Sequence, residues 1–243
     1  MELLTRSFRW GLEHLGESNP VWAELQAVLG SITQEHIESM KLEYFEEWAT
    51  GLSRKTPPVG GQSVVNELID SRLRAAGWET QLYVLGDVFD ETKQRPTKLN
   101  YWSMDFKKND IGVEVSFNNA GVLAQNILRL SVMSETVTRP REELIRVGVL
   151  VTATERLKNW SGMDGTVLTF ESVNKVLPLV NFNIPTPIVV VGLDAADGTE
   201  WQQRGFFEHK KLGKFSDLNA HDQSTWLNRI EEFRKLLGHR NPH

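Results

Sequence analysis

Two carboxylates, Asp105 and Glu114, stand nine residues apart in the stretch Tyr101–Gly121, YWSMDFKKNDIGVEVSFNNAG. Each lies in a short run of strand-forming residues, and the polar KKND between the runs predicts a turn joining two strands. In the second run Ile111, Val113, Val115 and Phe117 fall on one face, and Gly112, Glu114, Ser116 and Asn118 on the other. A hairpin of this kind sets Asp105 beside Glu114, with Ser116 next to it on the polar face. Two acids so placed repel each other, and their pKa values rise unless a cation lies between them. Mg²⁺ is the expected occupant: it takes one or two carboxylates together with phosphate oxygens and water. The backbone carbonyl of Val115 is a further candidate ligand. A metal held there polarises a phosphodiester and makes a bound water acidic, so the chemistry expected is metal-assisted phosphodiester hydrolysis. On spacing alone, the competing explanation is a pair of solvent-facing acids on a half-exposed sheet.

The surrounding pattern supplies the elements that must position this pair. SNPVWAELQAVLGSI predicts a helix capped by Ser18 or Asn19 with Pro20 in its first turn, and helical character continues to a stop at Gly51. SVVNELIDSRLRAAGW predicts a helix capped by Ser63 and ended by Gly77. AGVLAQNILRLSVMSE predicts another, apolar along one side. IRVGVLVTA and PIVVVGLD are continuous apolar runs of the sort found in strands buried on both faces. Leu3–Trp10 is a possible further strand, and DQSTWLNRIEEFRKLLG predicts a C-terminal amphipathic helix ending at Gly238. The order predicts an α/β domain with a central mixed sheet flanked by helices.

Composition narrows the function classes. The 243 residues contain no cysteine, so disulfides, zinc thiolates and thiol nucleophiles are excluded. No stretch is apolar for long enough to span a bilayer, and the first residues lack a signal-peptide core; a soluble cytoplasmic protein is expected. The net charge of -5 argues against a generally basic nucleic-acid binder. The acidity is concentrated in residues 1–53, with 3 Lys/Arg against 9 Asp/Glu, which leaves room for a locally positive cleft elsewhere. No glycine-rich phosphate loop, nucleophile elbow or helical His pair is present.

DFKKNDIGVEVSFNNAG resembles the active-site ribbon of the BglII/BamHI-like type II restriction endonucleases of the PD-(D/E)xK superfamily. In that ribbon a metal-binding Asp precedes by nine residues a Glu in a GVEVQF-like strand. GGQSVVNELIDSRLRAAGW, RVGVLVTATERLKNWSGMDG, IPTPIVVVGLD and SNPVWAELQAVLGSI resemble other family segments, in order, across roughly residues 6 to 195. The resemblance implies a restriction-endonuclease-like fold and a Mg²⁺-dependent homodimer that cuts both strands of double-stranded DNA at a short palindrome. It assigns the catalytic role to Asp105, Glu114 and Ser116, and the metal to Asp105, Glu114 and the carbonyl of Val115. It asks the 63–76 helix for one more polar group, Asn66 or Glu67.

The third catalytic position departs from the family. It is Ser116 here, against Gln in BglII-like enzymes and Lys or Glu elsewhere; Lys107 and Lys108 are candidate substitutes near the phosphate. Asn118, Asn119, Asn159, Ser161 and Asp164 are candidate base readers, on loops that the resemblance places at the DNA. Gln202, Gln203, Arg204, Lys210, Lys211 and Lys214 are candidates for an outer phosphate clamp. Arg129, Leu130 and Met133 are candidate dimer-interface residues. The expected organisation is a single endonuclease domain over 1–243, with a catalytic core at about 55–195 and a C-terminal segment at about 200–243. Two alternatives remain open: a modification-dependent or repair nuclease of the same fold, or a catalytically weakened DNA-binding protein.

Overall fold

The apolar runs of the sequence become the inner strands of one six-stranded sheet. The structure, a computed structural model, describes residues 1–16, 18–52, 56–84, 87–90, 95–98, 102–117, 119–135, 143–180, 185–195 and 212–238. The sheet is built from β1 (Glu2–Phe8), β2 (Glu79–Tyr83), β5 (Ser103–Lys108), β6 (Ile111–Val115), β7 (Val147–Ala153) and β8 (Ile188–Asp194), in the order β1-β8-β7-β6-β5-β2. A separate two-stranded ribbon pairs β3 (Asp87–Asp90) with β4 (Arg95–Lys98). β6, β7 and β8 run parallel, while β1, β5 and β2 are antiparallel to their neighbours. The sheet is therefore mixed, as the sequence predicts.

β7 and β8 are buried along their whole length because helices cover both faces. On one face Val149, Val151, Val189 and Val191 pack with α2 (Pro20–Gly30) and α4 (Gln62–Ala75), through Trp22, Leu25, Val65 and Ile69. On the other, Leu150 and Val190 meet Ile127 of α5 (Leu123–Ser134), and Val173 and Leu177 of α7 (Phe170–Val180). Each such aliphatic side chain contributes about 1.5–3 kcal/mol on burial. The period of two along β7 and β8 thus allocates alternate residues to two helical layers.

Gly148 of β7 lets α5 come close. A Cβ there would lie 2.9 Å from Leu130 Cδ1. Leu130 and Met133, candidate interface residues by sequence, are fully buried against the sheet instead. The apolar face of α5 is core packing.

The helix boundaries follow local chemistry. Asn19 caps α2 by accepting the backbone N–H groups of Val21 and Trp22, with Pro20 at the first position. α3 (Gln34–Thr50) ends at Gly51 with φ 70°, and α8 (Ala220–Leu236) is followed by Gly238 with the same φ. α8 lies on α3 through Phe45, Trp48, Trp226 and Phe233, and Arg234 pairs with Glu46 at 2.7 Å. α1 (Gly11–Leu15) follows β1 and packs on β7 and β8. Two expectations are corrected. Ser63 does not cap α4, which begins at Gln62 behind Gly61. The stretch after β7 is not a plain loop: it forms α6 (Glu155–Trp160), capped by the Thr154 hydroxyl, and then α7.

The Gly-Gly pair before α4 has a steric cause. Gly61 N donates to the carbonyl of Ser161 at 2.8 Å, and a Cβ on Gly60 would sit 2.3 Å from the carbonyl oxygen of Gly162. Two backbones touch here, and no side chain fits between them. Gly60→Ala is expected to destabilise the protein by about 1–3 kcal/mol, because backbone must shift to relieve the clash. Urea denaturation measures this; an unchanged midpoint would show that the two segments separate freely.

Candidate active site

Asp105 occupies a rung that neither neighbour completes. The β5–β6 ladder runs from Lys108↔Ile111 to Phe106↔Val113 and stops before the Asp105–Glu114 position. On the other side, β5 pairs with β2 on both sides of Gln81, but the Gln81–Asp105 rung is missing and Gln81 has φ 54°. The Asp105 carboxylate compensates by accepting the Val115 N–H at 2.8 Å. β6 meanwhile stays with β7, and Ser116 N donates to Val151 O at 2.8 Å. The hairpin therefore opens at its acidic end, and one carboxylate ties the two diverging strands together.

Glu114 points to the α5 side of the sheet and is 0% exposed. Arg129 reaches down from α5 and grips it with both arms. Nε donates to Oε1 at 2.8 Å and Nη2 to Oε2 at 2.6 Å; Nη2 also donates to the buried Asn126 Oδ1 at 2.6 Å. The Arg129 side chain is only 17% exposed and belongs to the acidic pair. Burial pushes the Glu114 carboxyl up to about 8; the Arg129 hydrogen bonds pull it down, and the Asp105 charge pushes it up again. Burial also raises Asp105, against the pull of the Val115 N–H and Arg129. Burial lowers the Arg129 pKa, but Glu114 and Asp105 more than offset this and hold it above its ordinary value.

Ser116 follows Glu114 on the same face and is also buried, and its hydroxyl finds no hydrogen-bond partner in the structure. A buried hydroxyl left unmade costs about 1–3 kcal/mol, so it marks a place where another polar group belongs. Among the described residues no cluster of three acidic or His side chains could hold a metal. The two carboxylates, the Val115 carbonyl and the idle hydroxyl nevertheless suit a hard divalent cation that completes its shell with water and phosphate oxygens.

α4 faces this opening with Asp70, whose charge is near enough to push the Asp105 pKa upward. Asp70 pairs with Arg74 at 2.6 Å. Asn66, one turn earlier, is half-buried. Glu67 is drawn elsewhere: it is exposed and accepts a hydrogen bond from the Tyr44 hydroxyl of α3. Of the two α4 candidates, Asn66 shares the Asp70 side of the helix, and Glu67 is committed to α3.

The reading candidates separate by burial. Asn119 is exposed, caps a short 3-10 turn through Gly121 N, and bridges to Val167. Asn159 and Asp164 are exposed; one Asp164 oxygen accepts from both Thr166 N and the Thr166 hydroxyl, which lowers its pKa. These residues lie where β6 and β7 end, and a cavity lined by Pro58, Gly60, Gln62, Ser63, Gly162 and Asp164 opens beside them. Ser161 is corrected: it is buried, and its hydroxyl donates to Leu157 O at 2.8 Å, so it holds the loop and faces no groove. Lys108 is corrected too. Its Nζ donates to both Glu24 oxygens, at 2.8 and 2.9 Å, and to Ala76 O at 2.7 Å, on the α2–α4 side. Lys107 is buried, opposite Gly112. Asn118 lies outside the described residues, as do Gln202, Gln203, Arg204, Lys210 and Lys211; Lys214 is described and exposed.

Sequence reasoning missed Arg129 as the partner of Glu114, and Asn126 as the residue that holds Arg129. Their spacing of three on a helix was legible, but contact with Glu114 depends on how deep α5 sits.

Comparison with known proteins bears on the fold as a whole. A family model described as restriction endonuclease BglII/BglIII matches residues 4–193. The crystal structure of restriction endonuclease BglII complexed with a DNA 16-mer superposes with a TM-score of 0.54 at 19% identity, covering 82% of this chain and 79% of that one. Free BglII gives 0.48 at 19% identity, covering 82% of each. No curated protein matches the chain.

Proposed function

The chain belongs to the BglII/BglIII restriction endonuclease family, and from that premise we propose that it is a Mg²⁺-dependent type II restriction endonuclease, a homodimer that hydrolyses both strands of double-stranded DNA at a short palindrome. The observation that carries this reading is the open, acidic end of the β5–β6 hairpin. There Glu114, fully buried, and Asp105, half-buried, come from separate strands into a setting where burial raises both pKa values although Arg129 already pairs with Glu114. Asp105, Glu114 and the Val115 carbonyl would hold the ion, whose contribution is to polarise the phosphodiester and make a bound water acidic. Asn66, on the neighbouring turn of α4, would orient water or phosphate. Ser116 accepts or donates a hydrogen bond to the attacking water, whose oxygen joins phosphorus as the bond to the leaving sugar oxygen breaks. Asn119, Asn159 and Asp164 would read base edges from the loops beside the site. A two-fold dimer would present one such site to each strand of a palindrome.

The test is a digest of unmethylated phage and plasmid DNA with Mg²⁺ and with EDTA. Discrete Mg²⁺-dependent bands establish a site-specific endonuclease. Intact DNA in both lanes rejects cleavage of unmodified DNA and makes methylated DNA the next substrate. Ser116→Ala offers a sharper check on one residue. It removes an unsatisfied buried hydroxyl, so stability is expected to rise by about 1 kcal/mol while cleavage falls. A parallel loss of both would make Ser116 a packing residue only.

A further inference from the structure

Arg129 stands in the way of the chemistry just assigned to Glu114. One planar cation engages both oxygens of the carboxylate, at 2.8 and 2.6 Å. Glu114 is fully buried, so it has no solvent-facing oxygen to offer instead. A guanidinium stays charged under all ordinary conditions, so it cannot retire by losing a proton. For Glu114 to turn an oxygen toward a divalent cation, at least one of the two bonds must break. A partly buried cation stripped of its anion is costly unless another anion replaces it.

The geometry limits where that replacement lies. Nη2 is also held by Asn126 Oδ1 at 2.6 Å, one turn back on the same helix. Asn126 is buried and lies on the same helix, so it can retain Nη2 while Nε swings away from Glu114 Oε1. The guanidinium is close enough to the opening between β5 and β6 to act on the Asp105 charge as well as on Glu114. The anion that the reaction brings into this opening is the DNA phosphate.

We infer that Arg129 exchanges partners in the catalytic cycle: it neutralises Glu114 while the site holds no metal, then pivots on Asn126 to a non-bridging oxygen of the scissile phosphate when Glu114 is engaged by a divalent cation. The inference rests on the nuclease reading above. It gives the site a device with two settings. The empty enzyme keeps its buried acid compensated, and the phosphate receives a forked cation only when the metal ligands are in use. Lysine could match the charge but not the two-armed grip, so Arg129→Lys separates the roles.

The experiment uses ¹⁵N-arginine-labelled full-length protein and follows the Arg129 Nε–H cross-peak, identified by its absence in Arg129→Lys. Ca²⁺, which binds oxygen ligands without needing to support cleavage, is titrated in while calorimetry follows its binding. The expected result is a protected cross-peak without metal that shifts or loses protection as Ca²⁺ binds. Arg129→Lys is expected to lower kcat about 10²-fold, the loss typical of one transition-state donor, with the Ca²⁺ Kd changed less than about threefold. If Ca²⁺ binds and Asp105→Asn abolishes that binding, yet the cross-peak does not move, Arg129 is a fixed counter-ion; the inference falls and the nuclease reading stands. If the wild type takes up no Ca²⁺ at all, both fall.

Discussion

Asp105→Asn is expected to reduce Mg²⁺-dependent DNA cleavage by about 10³-fold or more, while leaving the fold and DNA binding close to wild type. The choice of asparagine matters. Asp105 has two duties in the structure: it is one of the two carboxylates at the open end of the hairpin, and it closes the strand divergence by accepting the Val115 N–H at 2.8 Å. Asparagine keeps an oxygen for that N–H and removes only the negative charge. Alanine removes both and leaves a backbone donor unmet, at about 1–3 kcal/mol. The pair therefore separates chemistry from architecture. Asp105→Asn should melt at or above the wild-type temperature, because a carboxylate whose pKa is raised by burial has been made neutral. Asp105→Ala should melt lower. Both should retain a gel shift with duplex DNA, since the exposed loop residues are untouched. Wild-type cleavage by Asp105→Asn would remove Asp105 from the metal site. Loss of both cleavage and folding in Asp105→Asn would make the residue structural.

The parts of this site that were legible in the sequence are those fixed by short-range rules. A period of two placed Glu114 and Ser116 on one face of β6 and the valines on the other, and the structure accordingly buries Val113 in the α2–α4 layer and packs the half-buried Val115 against it. Asn19-Pro20 and the stops at Gly51 and Gly238 follow from orphan N–H groups and the left-handed region, which are local matters. What was not legible depended on depth and on competing local patterns. α6 and α7 were hidden because ERLKNWSGMDG carries a glycine-bounded loop signature, and FESVNKVLPLV holds β-branched residues and Pro178. Ser161 reads as a polar loop residue until Gly60 and Gly61 are seen to press against its backbone. Lys108 reads as a free turn lysine until Glu24, 84 positions earlier, is found beside it. Arg129 reads as a surface residue on the margin of an apolar helix. Only the close approach of α5 to Gly148 brings it onto Glu114, and side-chain alternation along one strand carries no information about that approach.

Metal-free protein is expected to lose stability as pH rises from about 5 to about 8, and Glu114→Gln is expected to remove most of that loss. The sign follows from the direction of the shift. Burial lifts the Glu114 carboxyl from its ordinary 4.5 to about 8, so the native state holds this proton more tightly than the unfolded chain does. Its contribution is present in full below the unfolded value and disappears as pH climbs through the folded one, with a slope approaching about 1.4 kcal/mol per pH unit in between. Asp105, raised in the same direction by burial, adds to the trend. Glutamine is neutral throughout and still offers Arg129 one acceptor, so between pH 5 and pH 8 the variant should lose a few kcal/mol less stability than wild type, on top of a pH-independent cost of leaving Arg129 without its anion. Divalent cation should act oppositely, stabilising the wild type more at pH 8 than at pH 5, because it favours the ionised carboxylate. Urea denaturation in EDTA across this range measures the first effect, and the same series with Ca²⁺ measures the second. Parallel pH profiles for wild type and Glu114→Gln would locate the pH dependence elsewhere and show that Glu114 is ionised at no cost. A divergence confined to the metal-free protein would mean that Arg129 compensates the Glu114 carboxylate only in part until a divalent cation arrives, which is the arrangement expected of a ligand rather than of a structural acid.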